Sequence, residues 1–189
     1  LELYPRSFDI ELTKGTTLNQ IMFFDSDTFQ LSKSFLISLN NQFGLAFDTN
    51  DVRCPEEMMR HLIVNDTVHM TASVGTGLVG YYARPDAPPV NLNRRDLPAS
   101  EYFYKVYSHN GSFIVDPDSF YILCANEVVN IPPMACAIMV DVDTDLGEFR
   151  GHYAGFFDPG FRSQPVLEMR NYGQPVSYTH LRAHETDRH

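Results

Sequence analysis

Glu168 stands in a short apolar run, Val166-Leu167-Glu168-Met169, behind the Asp158-Pro159-Gly160 break. A carboxylate held in such a strand can pass a proton between a water and a leaving group. The same position also suits a half-buried strand residue paired to Arg150 or Arg170. Asp158 before Pro-Gly suits a turn whose carboxylate accepts backbone N–H bonds. His152 could assist a proton transfer, since histidine titrates near neutrality, or be an ordinary strand residue. The adjacent Arg94 and Arg95 fit bidentate contacts to phosphate or carboxylate, although a solvated surface pair is the plainer reading. Gly75-Thr76-Gly77 could cradle a phosphate, but neither Lys-Ser/Thr nor a helix pattern follows it. It reads as a bulged turn and not as a P-loop. His180 and His184 lie one helical turn apart, with His189 behind them, and imitate a zinc cluster.

The surrounding chain is globular in composition. Of its 189 residues, 43% are hydrophobic and 20% charged, which argues against disorder. Fourteen Phe and ten Tyr, with twelve Pro and eleven Gly, favour strands joined by turns. The net charge of -10 is the wrong sign for a nucleic-acid surface. An anionic small ligand would need a local cluster of arginines or backbone N–H groups. Cys54, Cys124 and Cys136 are odd in number and widely spaced, so they are expected to be buried thiols in a reducing compartment. No apolar run reaches 18 residues and no signal-peptide pattern opens the chain. These features predict a cytoplasmic protein without a membrane partner. The chain lacks an initiator Met and enters almost directly into a strand pattern, so it is expected to start inside a larger protein.

Period-two alternation predicts strands at 7–12 and 18–24, while residues 25–50 alternate only loosely. Pro55, Glu56 and Glu57 predict a short helix over 55–63, with Met58, Met59, Leu62 and Ile63 on its core side. Further strands are predicted within 67–83, at 120–124, around 128–131, at 135–142, at 149–157 and at 166–170. Short strands at such intervals, without a βαβ rhythm, point to a sandwich or distorted barrel. Residues 176–186, VSYTHLRAHET, break the pattern and look like a translated sequencing adapter. Residues 176–189 are therefore read as an artefactual tail, and the histidine cluster with them.

The segment HYAGFFDPGF (152–161), followed by VLE (166–168), resembles the A-x-x-x-D-P-G-[FW] and L-E pattern of deoxycytidine triphosphate deaminases. LVGYYA (78–83), Asn93-Arg94-Arg95, DPDSFYIL (116–123), IPPMACAIMV (131–140) and LGEFR (146–150) are similar, in order, to the long two-domain bacterial form. The opening, YPRSFDIELTKGTTLNQIMFF, resembles the final strands of its first domain. The resemblance implies residues 1–25 as the end of a first dUTPase-like domain and 26–175 as a second, incomplete at its C-terminus. It implies an all-β, dUTPase-like distorted β-barrel or jelly roll, assembled as a trimer or a trimer-like arrangement of duplicated domains.

The reaction so implied is hydrolysis of deoxycytidine triphosphate to deoxyuridine triphosphate and ammonia. Magnesium would ride on the triphosphate, and no protein-bound zinc would be used. The Pro-Cys-x-x-Cys of zinc-dependent deaminases is missing, since the nearest cysteines are Cys124 and Cys136. Glu168 matches the family's catalytic glutamate. His152, Tyr153, Ala154, Gly155 and Asp158 fall on its nucleoside pocket, and Arg94 and Arg95 are candidates for substrate binding. One departure is marked. Asp141 to Asp145 stand where the family carries Ser-Ser-x-x-Arg for the triphosphate, and carboxylates there repel phosphate. The Ser/Arg motif is then expected from the first domain, so that this stretch alone holds half of a site. Two other readings remain: a deoxyuridine triphosphate diphosphatase, whose glycine-rich arm is not visible, and a non-catalytic structural domain of the oligomer.

Overall fold

The computed structural model describes residues 5–18, 30–140, 149–151 and 155–171. The described elements run in the order β1 (Ile10–Glu11), α1 (Lys33–Phe43), β2 (Ala46–Phe47), α2 (Glu56–Leu62), β3 (Ile63–Val64), β4 (Thr67–Val68) and β5 (Gly77–Ala83). Then come β6 (Val90–Asn91), α3 (Ala99–Tyr102), β7 (Phe103–Ser108), β8 (Phe120–Cys124), β9 (Val128–Asn130), β10 (Ala137–Ile138), β11 (Phe149–Gly151), β12 (Phe156–Phe157), β13 (Arg162–Ser163) and β14 (Val166–Asn171). The fold is β-rich but not all-β, because three helices stand among the described elements. The described strands form one sheet of five strands, one of three and three pairs.

The five-stranded sheet, β11-β14-β8-β5-β7, is antiparallel throughout. Alternation along β14 and β8 sends Leu167, Met169, Tyr121 and Leu123 to one face, where Tyr121 and Leu123 are each only 2% exposed. The Tyr82 and Tyr121 rings stack there at 5.2 Å, with Phe113 against Tyr121 at 6.1 Å. Part of the aromatic enrichment thus packs on one side of this sheet. β5 lies close on β8 because position 80 has no side chain. A Cβ on Gly80 would meet the Ile122 carbonyl oxygen and stand 2.6 Å from Leu123 Cδ2. The register between β5 and β7 also shifts between Leu78 and Gly80. Gly77, at φ +98°, opens β5, in keeping with an irregular turn at Gly75 to Gly77.

A second core forms where α1 and α2 pack with β2 and β3. It holds Ile37, Leu39, Leu45, Ala46, Cys54, Met59, Leu62 and Ile63. α1 falls where only loose alternation was expected. Ser32 caps its start by accepting from the Phe35 N–H at 3.4 Å, and Gly44, at φ +72°, ends it. Asn40, 1% exposed, ties the corner: its Nδ2 donates to the Cys54 carbonyl at 2.9 Å, and its Oδ1 accepts from the Leu45 N–H at 2.8 Å.

α2 forms as expected, with Pro55 one place earlier, at the N-cap. Only one methionine of its pair is core, since Met59 is fully buried while Met58 is 40% exposed. The expectation of three buried thiols is also corrected. Cys54 is buried, but Cys124 and Cys136 are exposed, Cys124 because it ends β8 on the face away from the aromatic core. β1 pairs in parallel with β6, Ile10 opposite Val90, so the N-terminal segment lies against the body of the molecule. Phe8 packs edge-on against Tyr102 and Phe103 at 5.7 and 5.3 Å. No described helix is long and apolar enough to cross a membrane.

Gly80→Ala is expected to cost about 1–3 kcal/mol, because the added methyl must push β5 off the β8 backbone. Urea unfolding of the two proteins measures it. A change below about 0.5 kcal/mol, the usual size for a neutral surface substitution, would contradict the close approach.

Candidate active site on the central sheet

Glu168 sits on β14 opposite Ile122 of β8, and Ile122 in turn lies opposite Tyr81 of β5. With Leu167 and Met169 turned to the aromatic core, Val166, Glu168 and Arg170 share the other face. That face changes character along β14. Val166 is 49% exposed, Glu168 is half-buried and Arg170 is only 8% exposed. Glu168 therefore lies at the edge between an open apolar surface and a covered one. Burial pushes its carboxyl above the ordinary glutamate range. A carboxyl raised in this way holds its proton closer to neutral pH, which suits a group that must both take and give one.

Arg170 does not serve as the ion-pair partner considered for Glu168. Its guanidinium donates to the Asp118 carbonyl at 2.7 Å, the Arg6 carbonyl at 3.0 Å and Ser7 Oγ at 2.6 Å. The Phe120 ring lies 5.9 Å from its Cζ. The pairing of Gly151 with Met169 brings β11 alongside β14 next to Glu168. His152, Tyr153 and Ala154 follow directly in sequence and lie outside the described residues, as do Asp141 to Asp145 and the tail from 176.

Gly155 resumes the described chain, its carbonyl accepting from the Met139 N–H at 2.7 Å. It leads into β12, which pairs with β10 and not with the sheet that carries Glu168. Asp158 is exposed in the turn that follows, and its backbone carbonyl accepts from Phe161 at 3.0 Å. Gly160, at φ +84°, completes that turn and donates to the Ile131 carbonyl at 2.9 Å.

Arg94 and Arg95 are exposed in the turn after β6, outside the five-stranded sheet. Arg94 is taken up by its neighbour, with Nε and Nη2 donating to Asp96 at 3.0 and 2.8 Å. A shallow cleft at the start of α1 is lined by Ser32, Lys33, Ser34, Ile37, Arg60 and Asp66. Its lysine is already committed, donating to the Arg60 and Ile63 carbonyls at 2.6 Å each. No group of three or more His, Cys, Asp or Glu side chains among the described residues is placed to hold a metal ion.

Comparison with known proteins gives this sheet a family. Residues 40–182 match the C-terminal domain of 2'-deoxycytidine 5'-triphosphate deaminase, and the chain belongs to that family. The matched span runs into the segment read as a foreign tail, which begins at 176. A crystal structure of 2'-deoxycytidine 5'-triphosphate deaminase from Agrobacterium tumefaciens is similar, with a TM-score of 0.62 and 28% identity. That likeness covers 76% of this chain and 42% of the other. A curated relative from Halobacterium salinarum, "dCTP deaminase, dUMP-forming", is 32% identical over 103 residues, which is 52% of each chain. The chain thus spans about half the length of the curated relative that it matches.

A raised carboxyl has a signature in stability. Native Glu168 binds its proton more tightly than the unfolded chain does, so stability falls as pH rises from the ordinary value of 4.5 toward the raised native one. Glu168→Gln removes that cost. The variant is expected to unfold at a higher urea midpoint than wild type at about pH 7 and at an equal one near pH 4. A gap that does not change with pH would contradict the buried, raised carboxyl.

Proposed function

We propose that the protein to which this chain belongs is a dCTP deaminase, hydrolysing deoxycytidine triphosphate to deoxyuridine triphosphate and ammonia. The observation that carries the reading is Glu168, a half-buried carboxyl raised by burial, behind an Asp-Pro-Gly turn in a chain of this family. In the proposed reaction Glu168 takes a proton as water oxygen bonds to C4 of the cytosine. It returns a proton to the amino group as the C4–N bond breaks, and ammonia leaves. No oxidant or reductant is needed. Backbone groups around His152, Tyr153, Ala154 and Gly155 would read the base edge, and Asp158 would close the pocket. Arg94 and Arg95 remain candidates for the phosphates, with magnesium travelling on the triphosphate.

The proposal extends to the whole protein. The likeness to the longer Agrobacterium chain, of which this chain covers 42%, supports a two-domain, dUTPase-like form with residues 26–175 in the second barrel or jelly roll. The first domain would supply the Ser/Arg phosphate motif that Asp141 to Asp145 replace. Sites would form between copies in a trimer or trimer-like assembly, in the cytoplasm. Residues 176–189 would be foreign to the protein. One alternative gains weight from the Halobacterium relative, whose name describes a product without the two outer phosphates. A diphosphatase step, alone or after deamination, would give that product here.

The test incubates the full-length protein with deoxycytidine triphosphate and magnesium, and resolves ammonia, dUTP, dUMP and pyrophosphate. Ammonia with dUTP is expected from the wild type. Glu168→Gln is expected to lose about 10²- to 10⁴-fold in rate while staying folded. Pyrophosphate with dUMP would move the assignment to the combined activity. Full activity in the variant would place the working carboxylate elsewhere and leave this domain a scaffold.

A further inference from the structure

Arg170 is a charged side chain that stability alone does not explain. It is 8% exposed, and among the described residues no carboxylate pairs with it. Taking a guanidinium out of water is costly, and an apolar side chain in such a position is often as stable or more so. Its Nε–H has no acceptor among the described residues, which adds to that cost. The arginine fork does one thing an apolar residue cannot. One nitrogen donates to the Asp118 carbonyl in the loop that leads into β8, and another holds the Arg6 carbonyl and Ser7 Oγ in the segment that leads into β1. A rigid planar fork suits such a double contact better than the single point charge of lysine.

The bolt sits two residues from Glu168, on the same face of the same strand. We propose that Arg170 is a positioning residue for Glu168: by clamping residues 6–7 and 118 onto β14, it fixes the strand and the cover that set how deep Glu168 lies. The role rests on the reading of Glu168 as the proton-transfer group. A carboxyl that hands protons to a bound base tolerates little displacement, so a loosened strand costs turnover before it costs substrate binding. The change should therefore appear mainly in kcat.

The test uses the full-length protein with Arg170→Met, Arg170→Lys and Ser7→Ala. It measures kcat and KM for dCTP, the folded fraction, and backbone hydrogen exchange at residues 5–13 and 166–171. Arg170→Met, while folded, is expected to lose about tenfold or more in kcat with KM within about threefold. Arg170→Lys should recover part of that loss, and exchange should rise in both segments. Should Arg170→Met not fold, Ser7→Ala carries the test, with a several-fold kcat loss and faster exchange at 5–13. Wild-type kcat in a folded Arg170→Met protein overturns the proposal. So does a loss that only follows the unfolded fraction and that lysine does not recover. A wild type that releases no ammonia from dCTP overturns the deaminase reading instead. The bolt then stands on exchange alone, and unchanged exchange at 166–171 in Arg170→Met overturns it.

Discussion

At Gly80 the backbone of β5 comes so near to β8 that even a methyl group would collide with the Ile122 carbonyl. The opposite edge of β8 pairs with β14 over five consecutive positions, from Val166↔Cys124 to Arg170↔Phe120. Glu168 faces Ile122 in that ladder. The residue whose carbonyl leaves no room at position 80 is thus the residue that faces the candidate acid–base group. A one-residue slip would send Glu168 into the Tyr121–Leu123 core and turn Met169 outward, so the aromatic stack also holds the register of the site.

Polar side chains elsewhere in the fold also tie separate segments together. Asn40 closes the α1 corner on backbone groups of Leu45 and Cys54. Glu127, 3% exposed, receives the Thr71 N–H and hydroxyl at 2.9 and 2.7 Å and clasps the bridge between Ala72 and Ala125. Arg162 lies 4.5 Å from the centre of the Phe47 ring while pairing with Asp51, and so holds the three-stranded sheet to its neighbouring loop. Arg170 differs from these in reaching two segments far apart in sequence while one of its own N–H groups has no acceptor among the described residues. A raised Glu168 on the same face makes that end of β14 the place where burial is spent on something other than packing.

Much of the sheet was legible because its signals are local. Alternation in FYILC and VLEMR, with Pro-Gly before the latter, marks β8 and β14 correctly. α2 was legible for the same reason, since Pro55 and two acidic residues announce a helix start. α1 was not. Its cap and stop, Ser32 and Gly44, look like loop punctuation, and its one buried polar residue, Asn40, hides the apolar stripe. Met58 and Met59 are adjacent and equally apolar, so only the direction of the helix face separates core from surface. Cys124 emerges at the surface because the strand alternation of β8, not its own chemistry, decides its burial, and Cys136 lies exposed just before β10. Glu168 was found through its motif. Arg170 was named only as a possible partner, because its true contacts, Arg6, Ser7 and Asp118, lie 164, 163 and 52 residues away and leave no spacing to read.

A crystal structure of the full-length Glu168→Gln protein with deoxycytidine triphosphate and magnesium would test the central claim most directly. The account predicts the cytosine on the open side of β14, its C4 amino group or one bridging water about 3 Å from the residue 168 carboxamide. A base seated elsewhere, with residue 168 turned away from C4 and out of reach of any shared water, would contradict it.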